Sequence, residues 1–224
     1  MSKPRGPFEP LFDELPAQIP LFPLPGALLL PGGRLPLNIF EPRYLAMVRD
    51  AIASPHRLIG MIQPKDELSD QSEDTDSLYH IGCAGRISSF NESDDGRILI
   101  TLSGVARFQC EGALECDDGY LVGRCNWHQF ASDLMVDDSA VNRDKLANIL
   151  RHYFDVKGFQ ADWEHIEACE DERLISTLSM ICPFSVPEKQ ALLEAEDLDS
   201  RTQLLIAIME MAAHADQDEI SPRH

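Results

Sequence analysis

The sequence predicts an α+β fold: a small, partly closed β-barrel with one helix, followed by an α-helical bundle. A change in pattern near residue 130 carries that prediction. Before it, Pro, Gly, Asn or Asp interrupts the chain at short intervals and the apolar runs are brief; after it, apolar residues recur at helical spacing. The charge shifts at the same place, from 18 acids against 11 bases before residue 130 to 20 against 8 after it. The expected organisation is a β-barrel over 15–130 and a helical bundle over 138–215, with flexible tails at 1–14 and 216–224.

In the first part, Gln18 to Phe22 and Ala27 to Leu30 read as short apolar strands around the turn Pro23-Leu24-Pro25-Gly26, and Arg34 to Phe40 follows the break Pro31-Gly32-Gly33. Pro20, Pro23, Pro25 and Pro36 withhold ladder donors, which predicts sheet edges or bulges here. Glu41-Pro42 opens a helix with Pro in its first turn and Tyr44, Leu45, Val48 and Ile52 on one side. Arg57 to Gln63 reads as a buried strand, and the acidic stretch from Lys65 to Leu78 as a long mobile loop. Tyr79 to Phe90 and Arg97 to Leu102 flank a turn at 91–96. Gly104 is expected to interrupt before Val105 to Cys116, where Arg107, Gln109 and Glu111 alternate with Ala106, Phe108 and Cys110. Asp117-Asp118-Gly119 turns the chain into Tyr120 to Phe130.

The second part predicts helices over 139–154, through Leu146, Ile149, Leu150 and Tyr153, then over Asp162 to Cys169 and Glu172 to Ile181. The last of these turns Leu174, Ile175, Leu178 and Ile181 inward. Ser185 with Glu188 three residues on forms a capping box with Pro187 in the first turn. Asp199 or Ser200 caps a final helix through Leu204, Leu205, Ile208 and Met211, which frays over its last dozen residues.

Composition narrows the function. The 224 residues include 38 acids and 19 bases, a formal net charge of −19. Such a surface repels nucleic-acid backbones and anionic bilayers. The start, Met1-Ser2-Lys3-Pro4-Arg5-Gly6-Pro7, leads into no apolar core, and Ala27 to Leu30 is far shorter than a membrane span. A cytoplasmic protein with no membrane partner is expected. Its six cysteines are too dilute for a disulfide framework and read as reduced and mostly buried.

The chemistry-bearing motifs are missing. There is no Gly-Lys dipeptide for a phosphate loop, no Gly-x-Gly-x-x-Gly, no Gly-x-Ser-x-Gly and no Cys-x2-Cys. Cys125 with His128, and His80 with Cys83, are three apart on strands and point to opposite faces; His165 and Cys169 share a helical face with no second pair to complete a site. Ser185 and Lys189 stand one turn apart, but capping explains Ser185, and an exposed helical Lys keeps its proton. No metal, cofactor or catalytic residue is expected, and the chain reads as a binding or regulatory module.

A family resemblance sharpens this. Ile19 to Gly33, followed by Leu35-Pro36-Leu37-Asn38-Ile39-Phe40-Glu41-Pro42-Arg43-Tyr44, resembles the start of the N-terminal domain of Lon proteases. Gly82-Cys83-Ala84-Gly85-Arg86-Ile87 and Leu102-Ser103-Gly104-Val105-Ala106-Arg107-Phe108 resemble its strand motifs, and Pro183 to Glu194 its closing helical segment. The resemblance covers about residues 15–212 and implies a PUA-like barrel followed by a helical bundle, with a role in recognising substrate proteins. It also implies what the chain lacks, since the ATPase and serine–lysine protease modules of Lon would begin where this sequence ends.

The expected function is therefore a non-catalytic module that binds unfolded or partner proteins, in the setting of a protease or chaperone system. The alternative is RNA binding by a PUA-like barrel, which needs a clustered basic face that the scattered Lys and Arg do not supply. The candidate protein-binding edge is Phe22, Leu24, Pro25, Arg43 and Tyr44, where missing amides leave carbonyls and apolar side chains for an extended segment. Against it stand plainer roles, with Phe22 and Leu24 plugging the barrel end and Arg43 and Tyr44 orienting the first helix. The acidic loop could capture a basic partner.

Overall fold

The computed structural model describes residues 8, 10–65, 77–137, 139 and 141–220, with side chains to 214. The expected 65–78 loop falls almost wholly outside them; its base is closed by Lys65 donating to the Ser77 carbonyl and by a bridge between Pro64 and Leu78. Of the expected tails, 1–7 and 221–224 also lie outside. Phe12–Glu14, by contrast, forms a 3-10 turn, and Trp127 Nε1 donates to the Pro16 carbonyl at 2.9 Å.

Six strands form one sheet in the order β2-β5-β4-β3-β1-β6: β1 Gln18–Pro23, β2 Arg34–Ile39, β3 Leu58–Ile62, β4 Ile81–Glu92, β5 Ile98–Glu115 and β6 Leu121–Asn126. All pairings are antiparallel except β1 with β3. The sheet curls until β6 also pairs with residues 109–115 of β5, which partly closes the barrel. Ile19, Leu21, Leu58, Ile62, Phe108 and Trp127 fill the enclosed side. The expected break at Gly104 is absent, and β5 runs through it. Gly104 is needed for a different reason: a Cβ there would overlap the Leu30 carbonyl oxygen.

The prolines do not place β1 at an edge, because it lies between β3 and β6. Cys125 N donates to Ala17 O, so residues 17, 19 and 21 bond β6 and Pro20 turns towards β3, where pairing starts only at Leu21. Its missing donor is lost outside the ladder. Ala27 to Leu30 forms no strand; its three leucines are all buried, whereas a strand with one solvated face would alternate.

Helix α1, Pro42–Ala53, has Pro at its start as expected, but it buries Tyr44, Met47, Val48 and Ala51, leaving Leu45 and Ile52 at the margin. The remaining helices are α2 Arg143–Lys157, α3 Trp163–Ala168, α4 Asp171–Ile181, α5 Val186–Glu194 and α6 Leu198–Ile220. α5 has the predicted box, with Ser185 N donating to Glu188 Oε2 at 2.7 Å. α6 starts earlier than predicted, and Asp197 Oδ1 accepts from Ser200 N at 2.8 Å. Ile181, predicted inward, is exposed, lying in line with the exposed Arg173 and Thr177, and Met211 on α6 is exposed as well. One core cluster joins the outer face of the sheet to the helices, packing Phe22, Ile59 and Leu102 with Leu150, Ile175, Leu192 and Leu205.

Candidate functional site

Three of the five residues of the predicted edge meet in one stack. The Phe22 and Tyr44 rings are 4.2 Å apart between centroids, and the Arg43 guanidinium lies 4.5 Å from the Tyr44 ring. Glu41 holds Arg43 from the side at 3.0 Å. Both rings are buried, so this stack orients α1 on β1. Leu24 and Pro25 are half-buried. Leu24 N donates to Ile62 O, and the carbonyl of the adjoining Gly26 accepts from Lys189 Nζ at 2.7 Å.

That bond corrects the reading of Lys189 as an exposed helical lysine. It is buried at the α5–sheet contact, and burial lowers its pKa. Gln190 works beside it, donating to Ile81 O at 3.1 Å, while Gln63 donates to Gln190 Oε1 at 3.1 Å. The motif Pro183 to Glu194 thus fastens a helix to the sheet.

The strongest polar constellation was not foreseen. Arg107, assigned by alternation to a face with Gln109 and Glu111, is 3% exposed. Asp133 holds it with bonds of 2.7 and 2.8 Å from NH2 and Nε, and also accepts from the Arg107 backbone amide at 2.9 Å. Arg107 NH1 then donates to the carbonyls of Leu193 and Ala195, closing the C-terminal end of α5. Arg201 joins it, donating to Leu192 O at 2.9 Å; burial, and then the nearby Arg107, push its pKa down to about 10. A cavity of about 560 Å³ opens beside this junction, rimmed by acids including Asp137, Glu172 and Asp197. Nothing local in the sequence marks the pair, because its two residues are 26 apart.

The exposed apolar surface lies elsewhere. β2, the first half of β5 and the end of β4 project as a three-stranded arm, and at its tip Phe40, Phe90 and Leu99 are 61%, 55% and 46% exposed. Phe90 and Leu99 line a shallow cavity of about 410 Å³ with Pro36, Asn38, Ser89 and Thr101. β2 is the outer strand. Because Gly33 O accepts from Gly104 N, residues 34, 36 and 38 direct their backbone away from β5, and Pro36 leaves a gap in that row of donors. The arm therefore offers a face more readily than an edge.

Among the described residues no group of three or more His, Cys, Asp or Glu is placed to hold a metal ion, and no helix is long and apolar enough to cross a membrane. Burial raises the pKa of Cys182 to about 11 and drives that of Cys125 upwards, so both rest as protonated thiols.

Comparison with known proteins follows this architecture. The chain is 23% identical to a Lon protease of Anaeromyxobacter dehalogenans and 24% identical to one of Elusimicrobium minutum, over 88% and 90% of its length. It spans 23% and 24% of those relatives, about a quarter of each. Among solved structures, a Lon N-terminal domain protein from Xanthomonas campestris aligns with TM-score 0.56 at 25% identity, covering 85% of this chain and 97% of that one. The N-terminal domain of Mycobacterium avium complex Lon protease aligns with TM-score 0.57 at 16% identity, covering 86% and 98%. The family model for the ATP-dependent protease La (LON) substrate-binding domain matches residues 18–211, from the first residue of β1 well into α6. With the barrel, its arm and the helices that lock it all inside that span, the chain belongs to the Lon substrate-binding domain family.

Proposed function

We propose that this chain is a non-catalytic recognition module that binds unfolded segments of other proteins, with neither ATPase nor protease activity, in a cytoplasmic protease or chaperone setting. The observation that carries this reading is the arm tip, where Phe90 of β4 and Leu99 of β5 stand exposed at a shallow cavity and Phe40, just past the end of β2, is exposed as well. Family membership supports it, since the matched model describes a substrate-binding domain. An extended apolar segment wraps the tip of the arm, burying Leu99 on one face and Phe90, the cross-strand partner of Ile100, on the other, with Phe40 beside them. Leu24, Pro25 and Arg43, all half-buried, offer a second contact surface, while the buried Phe22–Tyr44 stack keeps α1 in place on β1.

The test uses the intact chain immobilised and a globular protein that has been reduced and carbamidomethylated so that it stays unfolded. The unfolded form is retained and its native form is not. The double variant Phe90→Asp, Leu99→Asp loses about tenfold or more in affinity, since burying one such side chain is worth roughly 1.5–3 kcal/mol. Retention of RNA with a steep salt dependence, and of no unfolded protein, would contradict the proposal.

A further inference from the structure

One face of α4 turns away from the core. Arg173, Thr177 and Ile181 follow each other at four-residue spacing on it, all exposed, with Met180 half-buried beside them. This face meets the start of β2 at Gly32 and Gly33, where a Cβ on Gly33 would overlap the Met180 sulfur; the helix therefore packs on bare backbone. Arg34 stands next to the contact, and together these residues line a groove of about 410 Å³.

Two features make the groove unusual for this chain. Acids outnumber bases two to one, 38 to 19, yet neither Arg34 nor Arg173 makes an ion pair or hydrogen bond among the described residues. Arg43 pairs with Glu41, Arg97 with Asp95, Arg143 with Asp171 and Arg151 with Glu167; among the described residues Arg49 and Arg57 also stand unpaired, and Arg34 and Arg173 differ from those two in lining one groove together. Beside the two open guanidiniums stands Ile181, 66% exposed, an apolar side chain that the helical period would place in the core. The backbone amides of Gly32 and Gly33 are already spent on Gly104 O and Leu30 O, so the side chains alone supply the donors.

We infer that this groove binds a client segment carrying a carboxylate next to a large apolar residue, the carboxylate held by Arg34 and Arg173 and the apolar group lying on Ile181 and Met180. Guanidinium groups match a carboxylate in geometry as well as charge. The net charge of −19 selects against a polyanion, whose many charges lie over the acidic surface; a single carboxylate responds only to charges within a Debye length of about 8–10 Å. The inference rests on the recognition role proposed above and adds a sequence preference to it.

The test measures fluorescence anisotropy of two labelled hexapeptides, one alternating glutamate with leucine, the other with glutamine in place of glutamate. The full chain binds the glutamate peptide on the order of tenfold more tightly. Arg34→Glu and Arg173→Glu each abolish that preference, Arg34→Lys keeps part of it, and all three fold with unchanged circular dichroism, since both sites are exposed. Equal binding of the two peptides, or a preference that survives both charge reversals, overturns the inference. So does arginine-dependent binding of a single-stranded RNA oligomer in place of the glutamate peptide. Retention of the carbamidomethylated unfolded protein by the unaltered chain separates the outcomes: if it is retained while the peptide preference is absent, this inference alone falls, and if it is not retained, the recognition role falls with it.

Discussion

Strand β5 passes through two regions that treat it differently. From Ile98 to Ser103 burial alternates, with Ile98, Ile100 and Leu102 inside and Leu99, Thr101 and Ser103 turned towards solvent. From Gly104 to Phe108 all five residues are buried. Alternation needs one face in water, whereas continuous burial means that both faces are covered, here by the barrel interior and the helices. The covered region holds the sheet and helices together, and the half-open arm is free to meet something else. A charge can sit in the covered region only if it is neutralised there, which is the role of Asp133 for Arg107.

Breaking that pair is the largest effect the comparison predicts. Asp133→Ala strands a buried guanidinium and costs about 3–5 kcal/mol, read as a lower urea midpoint. Replacing both partners, Arg107→Met with Asp133→Leu, recovers much of the loss, because no unpaired charge remains.

The covered region also titrates at high pH. The buried Cys182 thiol has a pKa raised from 9.0 to about 11. The folded state therefore holds this proton more firmly than the unfolded state. The contribution is complete below pH 9 and is lost as pH rises through about 11. Cys182→Ala removes the contribution, so between pH 9 and 11 the unaltered chain loses about 2–3 kcal/mol more than the variant. Lys189, whose pKa burial lowers, has the opposite slope, and because its charge interacts with the Cys182 thiolate it cancels from the difference only in part. Parallel stability–pH curves would argue against this account of the thiol.

The smallest effect lies on the arm. Pro36→Val restores a donor on the free edge of β2 and changes stability by less than about 1 kcal/mol. Concentration-dependent dimers should then appear in sedimentation velocity, formed by strand addition that the unaltered edge resists. A variant that stays monomeric would show that Pro36 is not what protects this edge.

What the sequence made legible follows the range of the interactions. Pro42 at the start of α1 and the Ser185–Glu188 box involve residues at most three apart, and each lies where the pattern placed it. The closure of the sheet, by contrast, depends on β6 returning to β5, and Arg107 depends on Asp133 and on carbonyls more than 80 residues away. Ala27 to Leu30 misled because a run of leucines looks alike whether it forms a ladder or passes between a sheet and helices. The same limit applies to the candidate edge. Phe22 and Tyr44 have the composition of a docking surface, but they stack on each other and are buried, whereas Phe90 and Leu99 stand at the exposed tip of a long hairpin whose reach no local pattern reports.

Hydrogen exchange by mass spectrometry, on the intact chain with and without a saturating unfolded client, separates these two surfaces directly. The account predicts slowed exchange in peptides spanning residues 36–40, 89–92 and 98–101, and unchanged exchange over 18–23. Protection confined to β1 and the Leu24–Pro25 turn, with the arm unaffected, would contradict it.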